Sequence, residues 1–237
     1  MKKMGLGILG LIILVVMASG CIGTGSGKVV NQTRDVSGFN QISTNGDINL
    51  FIKQGSNESM VIEAENNVIP NIKTTVSNGR LSIDQGLGQT TVMPTKPVNI
   101  YVTVKDLSSV DSSGSGYVES DKLNVNSLSL SISGSGNDTL NGLTANTFKV
   151  VISGSGSVTA AGKANSQDVT ISGSGEYNGS NLTSNTASVN INGSGKAIVY
   201  ALQQLSIIIS GSGEVNYLGN PKLTQQISGS GKVTNIK

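Results

Sequence analysis

Seven carboxylates lie in residues 108–237: Asp111, Glu119, Asp121, Asp138, Asp168, Glu176 and Glu214. Two carboxylates facing one glycosidic bond can hydrolyse it, one as acid and the other as base or nucleophile. Glu176 and Glu214 occupy equivalent positions of a repeat, but Lys196 stands between them and Lys232 follows. Alternating charges in one column predict a solvated ladder of ion pairs, each contributing little. The two arginines, Arg34 and Arg80, lie outside the repeat, so none serves there to assist elimination from an acidic polysaccharide. The chain has no His and one Cys. That excludes the common His/Cys zinc sites and Ser-His or Cys-His nucleophiles. No catalytic residue, metal ligand or cofactor is expected, and the chain reads as a non-enzyme.

Cys21 carries a different chemistry. Met1-Lys2-Lys3 is a short basic start, residues 4–17 are an uncharged Leu/Ile/Val-rich run, and Ala18-Ser19-Gly20 leads into Cys21. This is the order of a lipoprotein-type signal peptide over residues 1–20, cut before a cysteine that receives lipid. Two other readings stand beside it: an ordinary secretory signal, or an uncleaved helix over residues 4–22, just long enough to span a bilayer. All three place the remainder outside the cytoplasm, and the first and third anchor it to the outer face of a bacterial or archaeal cell membrane. Gly23-Thr24-Gly25-Ser26-Gly27 predicts a flexible tether within residues 21–35. The formal charge of +2 comes from Lys2 and Lys3; without them 14 basic residues face 14 acidic ones. Nucleic acid is excluded as a partner, because no basic stripe is present to displace counterions.

Stepping along the chain, Ser-Gly-Ser-Gly (once Asn-Gly-Ser-Gly) recurs every 18–20 residues. Its glycine pairs are Gly114 and Gly116, Gly134 and Gly136, Gly154 and Gly156, Gly173 and Gly175, Gly193 and Gly195, Gly211 and Gly213, and Gly229 and Gly231. Before each pair, apolar and polar residues alternate, as in Leu128, Leu130 and Ile132 or Leu205, Ile207 and Ile209. Period-two alternation rich in β-branched residues is a half-buried strand. After the glycines, Val118, Val158, Val215 and Val233 begin a second one. One such unit per coil predicts an all-β fold: a single-stranded right-handed parallel β-helix, or β-solenoid, with coils of about 20 residues. A β-sandwich built of hairpins is the fallback. The glycines are assigned to corners that need φ > 0. Ser133, Ser153, Ser172, Ser210 and Ser228 are expected to form a hydroxyl ladder on the turn carbonyls. The phosphate-loop pattern and the calcium-binding nonapeptide are both absent.

The first half alternates similarly, for example at Ile48, Leu50 and Ile52, with Pro70, Pro94 and Pro97 at turns or edges. Val36-Ser37-Gly38-Phe39-Asn40-Gln41-Ile42, then Asn45-Gly46-Asp47-Ile48-Asn49-Leu50, then Leu81-Ser82-Ile83 and the repeats together resemble the family called putative auto-transporter adhesin, head GIN domain. The resemblance implies one β-helical extracytoplasmic domain over residues 36–237, often behind a lipoprotein signal. Residues 36–107 would supply N-terminal strands and a cap, and residues 108–237 the repeats. It brings no catalytic residues, and its function is unknown.

The expected role is structural or adhesive at the cell surface, toward a surface protein or a glycan. The alternative is a carbohydrate-binding module, with Tyr117, Tyr177 and Tyr217 as exposed rings; a polysaccharide-degrading enzyme ranks behind both. Nothing covers the final coil, so end-to-end self-association is also expected. Asn31, Asn57, Asn137, Asn178, Asn181 and Asn192 head Asn-x-Ser/Thr sequons open to glycosylation.

Overall fold

The computed structural model describes residues 23–86 and 92–237. The expected signal segment and Cys21 lie outside the described residues. None of the helices among them is long and apolar enough to cross a membrane.

Alternation becomes stacking. The strand Leu123–Gly134 pairs parallel and in register with Asn137–Gly154, which pairs with Ser157–Gly173, then Glu176–Gly193 and Lys196–Gly211. Ile132 thus lies under Ile152, Ile171, Ile191 and Ile209, all buried. Each coil adds a layer about 4.8 Å thick. The result is a parallel β-solenoid. Among the described residues no further layer lies on its final strands, Lys222–Gly229 and Lys232–Asn235, and Ile227 is 38% exposed there.

The two glycines of each corner do different jobs. Gly114, Gly134, Gly154, Gly173, Gly193, Gly211 and Gly229 have φ between +116° and +138°, a region L-residues avoid. The second glycines do not. They are glycines for lack of room: a Cβ on Gly175 would stand 2.5 Å from Ile152 Cγ2 of the coil below. The corner carbonyls are met by backbone groups, not by hydroxyls. Ser155, Ser174 and Ser194 donate their N–H to the carbonyls of Gly134, Gly154 and Gly173 at 3.1, 3.0 and 2.9 Å. Ser133, Ser153, Ser172, Ser210 and Ser228 instead face solvent, so the expected hydroxyl ladder on those carbonyls is replaced by a backbone ladder.

The first half extends the stack, but out of chain order. Gln41–Asn45 and Asn49–Gln54 form a coil below Ser109–Gly114 and Val118–Ser120. Its corner, Gly46, has φ +117° and is an eighth member of the glycine column. The following strands, Arg80–Gln85 and Asn99–Val104, lie beneath that coil, so the chain leaves the stack and returns past it. Antiparallel strands then close the end: Ile72–Ser77 on Arg80–Gln85, Ser59–Glu65 on Asn99–Val104, and Val29–Arg34 on Ser59–Glu65. Both arginines act in this cap. Arg34 donates to the carbonyls of Ile69 and Ile72 and to Thr74 Oγ1, at 3.2, 2.6 and 2.8 Å. Arg80 pairs with Asp111 and donates to Gln41 Oε1 at 3.0 Å, stapling three layers that are distant in sequence.

Residues 23–27 are not a free tether. Gly23–Thr24 pairs with Val92–Met93. Glu65 accepts from the Gly27 N–H at 2.6 Å, from the Thr95 N–H and hydroxyl at 2.7 and 2.6 Å, and from the Lys96 N–H at 3.2 Å. These donors, the Thr95 hydroxyl foremost, hold its carboxyl down at about 2, against the opposing effect of desolvation. A Cβ on Gly25 would collide with that carboxylate. Of the glycines that read as flexibility, Gly25 is needed for a tight fit and Gly27 for its φ of +74°.

Candidate functional site

The chain has five Tyr and three Phe, and the solenoid buries Phe39, Phe148 and Tyr177. Three others meet on the outer surface where cap and repeats join. Phe51 stands between Tyr101 and Glu119 in the parallel ladder. The Phe51 and Tyr101 rings stack at 4.9 Å and 14°, and Tyr117 meets Phe51 edge-on at 5.5 Å and 89°. Tyr101 is 41% exposed. A cleft beside this ridge is lined by Lys53, Thr103, Glu119 and Asp121. Burial raises the pKa of both tyrosine hydroxyls, reinforced by Glu63 at Tyr101 and by Glu119 at Tyr117, so both remain protonated donors. The site therefore offers an apolar wall, hydroxyl donors, carboxylate acceptors and an ammonium. Glu119 and Asp121 come from one chain segment and stand on one wall. Hydrolysis of a glycoside needs carboxyls on both sides of the bond. The arrangement suits binding better than bond cleavage.

Of the tyrosines expected to be exposed rings, only Tyr117 joins this site. Tyr217 is half-buried near the far end of the stack. Tyr177 is a correction: it lies wholly inside the solenoid. Its hydroxyl donates to Gln167 Oε1 at 2.9 Å, and Gln167 Nε2 donates to Ser184 Oγ and the Tyr200 carbonyl at 2.7 and 3.2 Å. Small neighbours make the space, since a Cβ on Gly179 would sit 2.6 Å from the Tyr177 hydroxyl. A Tyr177→Ala variant would thus report on folding, not on ligand contact. The interior network was hidden because Gln167 sits in the apolar column between Phe148 and Ala187.

The acids of the repeat do not converge. Glu176, Lys196, Glu214 and Lys232 do stack in one column. Yet among the described residues the ion pairs within 4.0 Å are Arg80–Asp111 and Lys105–Glu58. The expected salt-bridge ladder is a column of separately solvated charges. Asp138 turns inward, 1% exposed, in the column of Val118 and Val158. One oxygen accepts from the Val118 N–H at 2.8 Å; the other, Oδ2, has no partner. Burial raises its pKa to about 7. The repeat alignment alone places an acid in this valine column, four residues after the corner glycine. Among the described residues no three potential metal ligands cluster. Of the sequon residues, Asn31, Asn57, Asn137, Asn181 and Asn192 are exposed, whereas Asn178 is half-buried and accepts from Ser180 at 2.8 Å.

The family described as "putative auto-transporter adhesin, head GIN domain" matches residues 38–221, from the cap through most of the coils. The chain belongs to the head GIN domain family. Three solved structures share the fold. A "putative adhesin" from Bacteroides fragilis is 22% identical with a TM-score of 0.83, covering 90% of this chain and 99% of its own. A "putative lipid binding protein" from Parabacteroides distasonis is 24% identical, with a TM-score of 0.76 and 90% and 99% coverage. A "putative adhesin" from Parabacteroides merdae is 24% identical, with a TM-score of 0.73 and 90% and 98% coverage. No protein of curated function matches. In this head GIN domain the opening Gly38-Phe39 has a clear physical role. Gly38 takes φ +75°, its N–H donates to Glu58 Oε2 at 2.9 Å, and the turn drives Phe39 into the core.

Proposed function

We propose that the protein is an extracytoplasmic, lipid-anchored adhesin-like domain that holds a surface partner without transforming it. The observation that carries this reading is the Phe51–Tyr101–Tyr117 ridge, left outside on a solenoid that buries Phe39, Phe148 and Tyr177. Rings at an open cleft lower the free energy of contact and ask for no moving parts. Adhesin names among the structural relatives support the same role. The lipid anchor is supported by the residues before Cys21. Replacing Cys21 by Ala should move the protein from the membrane fraction to the medium, or leave it unprocessed on a gel. Unchanged fractionation and mobility would count against the anchor.

A second reading specifies the partner as a glycan. The ridge combined with Glu119, Asp121 and Lys53 favours it, since sugars present both apolar C–H groups and hydroxyls. Binding on a glycan array, at least tenfold weaker in Tyr101→Ala (about 1.4 kcal/mol lost), is the expected result. An array without binding by the unaltered protein would leave a protein as the partner.

A further inference from the structure

The anchor and the fold meet at one place. Every residue from Gly23 to Gly27 is held to the cap. Gly25 donates to the Met93 carbonyl at 2.8 Å, Ser26 N–H to Asn67 Oδ1 at 2.9 Å, Asn67 Nδ2 to the Thr24 carbonyl at 2.9 Å, and Gly27 to Glu65. Only Ile22 separates Gly23 from Cys21, so the anchor stands no more than about 8 Å from the folded body. Around that point the surface offers Met93, 58% exposed, and the exposed Lys28 and Lys96. The lysines follow Gly27 and Thr95, whose N–H groups share the Glu65 carboxylate, so they flank one point of the cap. Among the described residues neither lysine pairs with an acid. A flexible thioether beside two free ammonium groups suits the interface of an anionic bilayer.

We propose that the cap end of the solenoid docks on the membrane through Met93, Lys28 and Lys96, with the final coil pointing away. This rests on the lipid anchor proposed above. The ladder from Val29–Arg34 to Lys232–Asn235 passes through eleven strands. At about 4.8 Å per step it places the open coil about 50 Å from the cap. The ridge, beside the third to fifth strands of that ladder, then stands nearer the membrane than the open coil does.

The test uses the full-length lipidated protein in vesicles of phosphatidylglycerol and phosphatidylcholine. Its one native cysteine is blocked by the lipid, so an environment-sensitive maleimide dye reaches only an introduced thiol. Met93→Cys and Gln226→Cys, both at exposed positions, report the two ends. The expected result is a blue shift and strong quenching by a lipid-borne quencher at position 93, neither at 226, and loss of the shift when Lys28→Glu and Lys96→Glu are combined. Vesicle flotation is read in parallel. Floating protein with neither probe in lipid would overturn docking and keep the anchor. Floating protein with both probes in lipid would mean the solenoid lies flat, and the proposal fails. Protein that does not float would remove the anchor and the docking with it.

Discussion

Gly193→Ala is expected to lower the unfolding free energy by about 3–5 kcal/mol, while Ser194→Ala beside it changes it by less than about 0.5 kcal/mol. Two effects combine at Gly193. Its φ of +128° disfavours any side chain, and a Cβ would stand 2.5 Å from the Gly173 carbonyl oxygen of the neighbouring coil. Relief would push the coils apart where Ser194 N–H donates to that same carbonyl at 2.9 Å. Ser194 contributes only its backbone to this bond, and its side chain faces solvent. In a solenoid each coil touches only its neighbours. The damage should therefore appear as faster amide hydrogen exchange in the coils on either side of Gly193. Equal denaturant midpoints for the two variants would show that the glycine column is not a steric requirement.

Asp138→Asn should act in the opposite direction, by an amount that grows from about pH 4 and is complete above pH 7. In the fold the acid is pushed up to about 7 by burial, against an ordinary value of 3.8. The folded state therefore holds its proton more tightly than the unfolded chain. The stability so contributed is complete below pH 3.8 and is lost as pH rises through 7. Above that, the native protein carries a buried carboxylate whose Oδ2 has no partner. Three pH units of proton affinity correspond to about 4 kcal/mol. Asn keeps the acceptor for the Val118 N–H and carries no charge. The variant should unfold at higher denaturant than the native protein at pH 8, by up to about 4 kcal/mol, and the gap should close toward pH 4. Parallel pH profiles for the two proteins would show that Asp138 is solvated.

The membrane-docking experiment and these two variants probe features of very different legibility. The glycine spacing and the Ile column were readable because a stacked repeat turns sequence period directly into contact: each of these residues meets its counterpart 18 to 20 positions later in each coil of the repeat. Asp138 was readable too, as an acid in a valine column, though the carboxyl's fate depends on which backbone N–H it meets. Tyr177 read as an exposed ring, although it shares an inward column with Val118, Asp138, Val158, Ala197 and Val215. Only packing shows that Gly179 and Ala197 leave it an interior space. The Gly-Thr-Gly-Ser-Gly segment read as a tether because composition reports what glycine permits, not what surrounds it. Glu65, forty residues later, decides that it is fixed.

Periodic local rules, then, determined the solenoid, its corners and its strand faces from the chain alone, since each coil repeats the same short-range pattern. The tertiary structure decided what depends on non-repeating, long-range contact. It routed the cap strands out of chain order, joined Phe51, Tyr101 and Tyr117 across the layers, and closed Glu65 over the N-terminal glycines. Such contacts leave no period behind, because each is made once, between segments whose separation follows no rule.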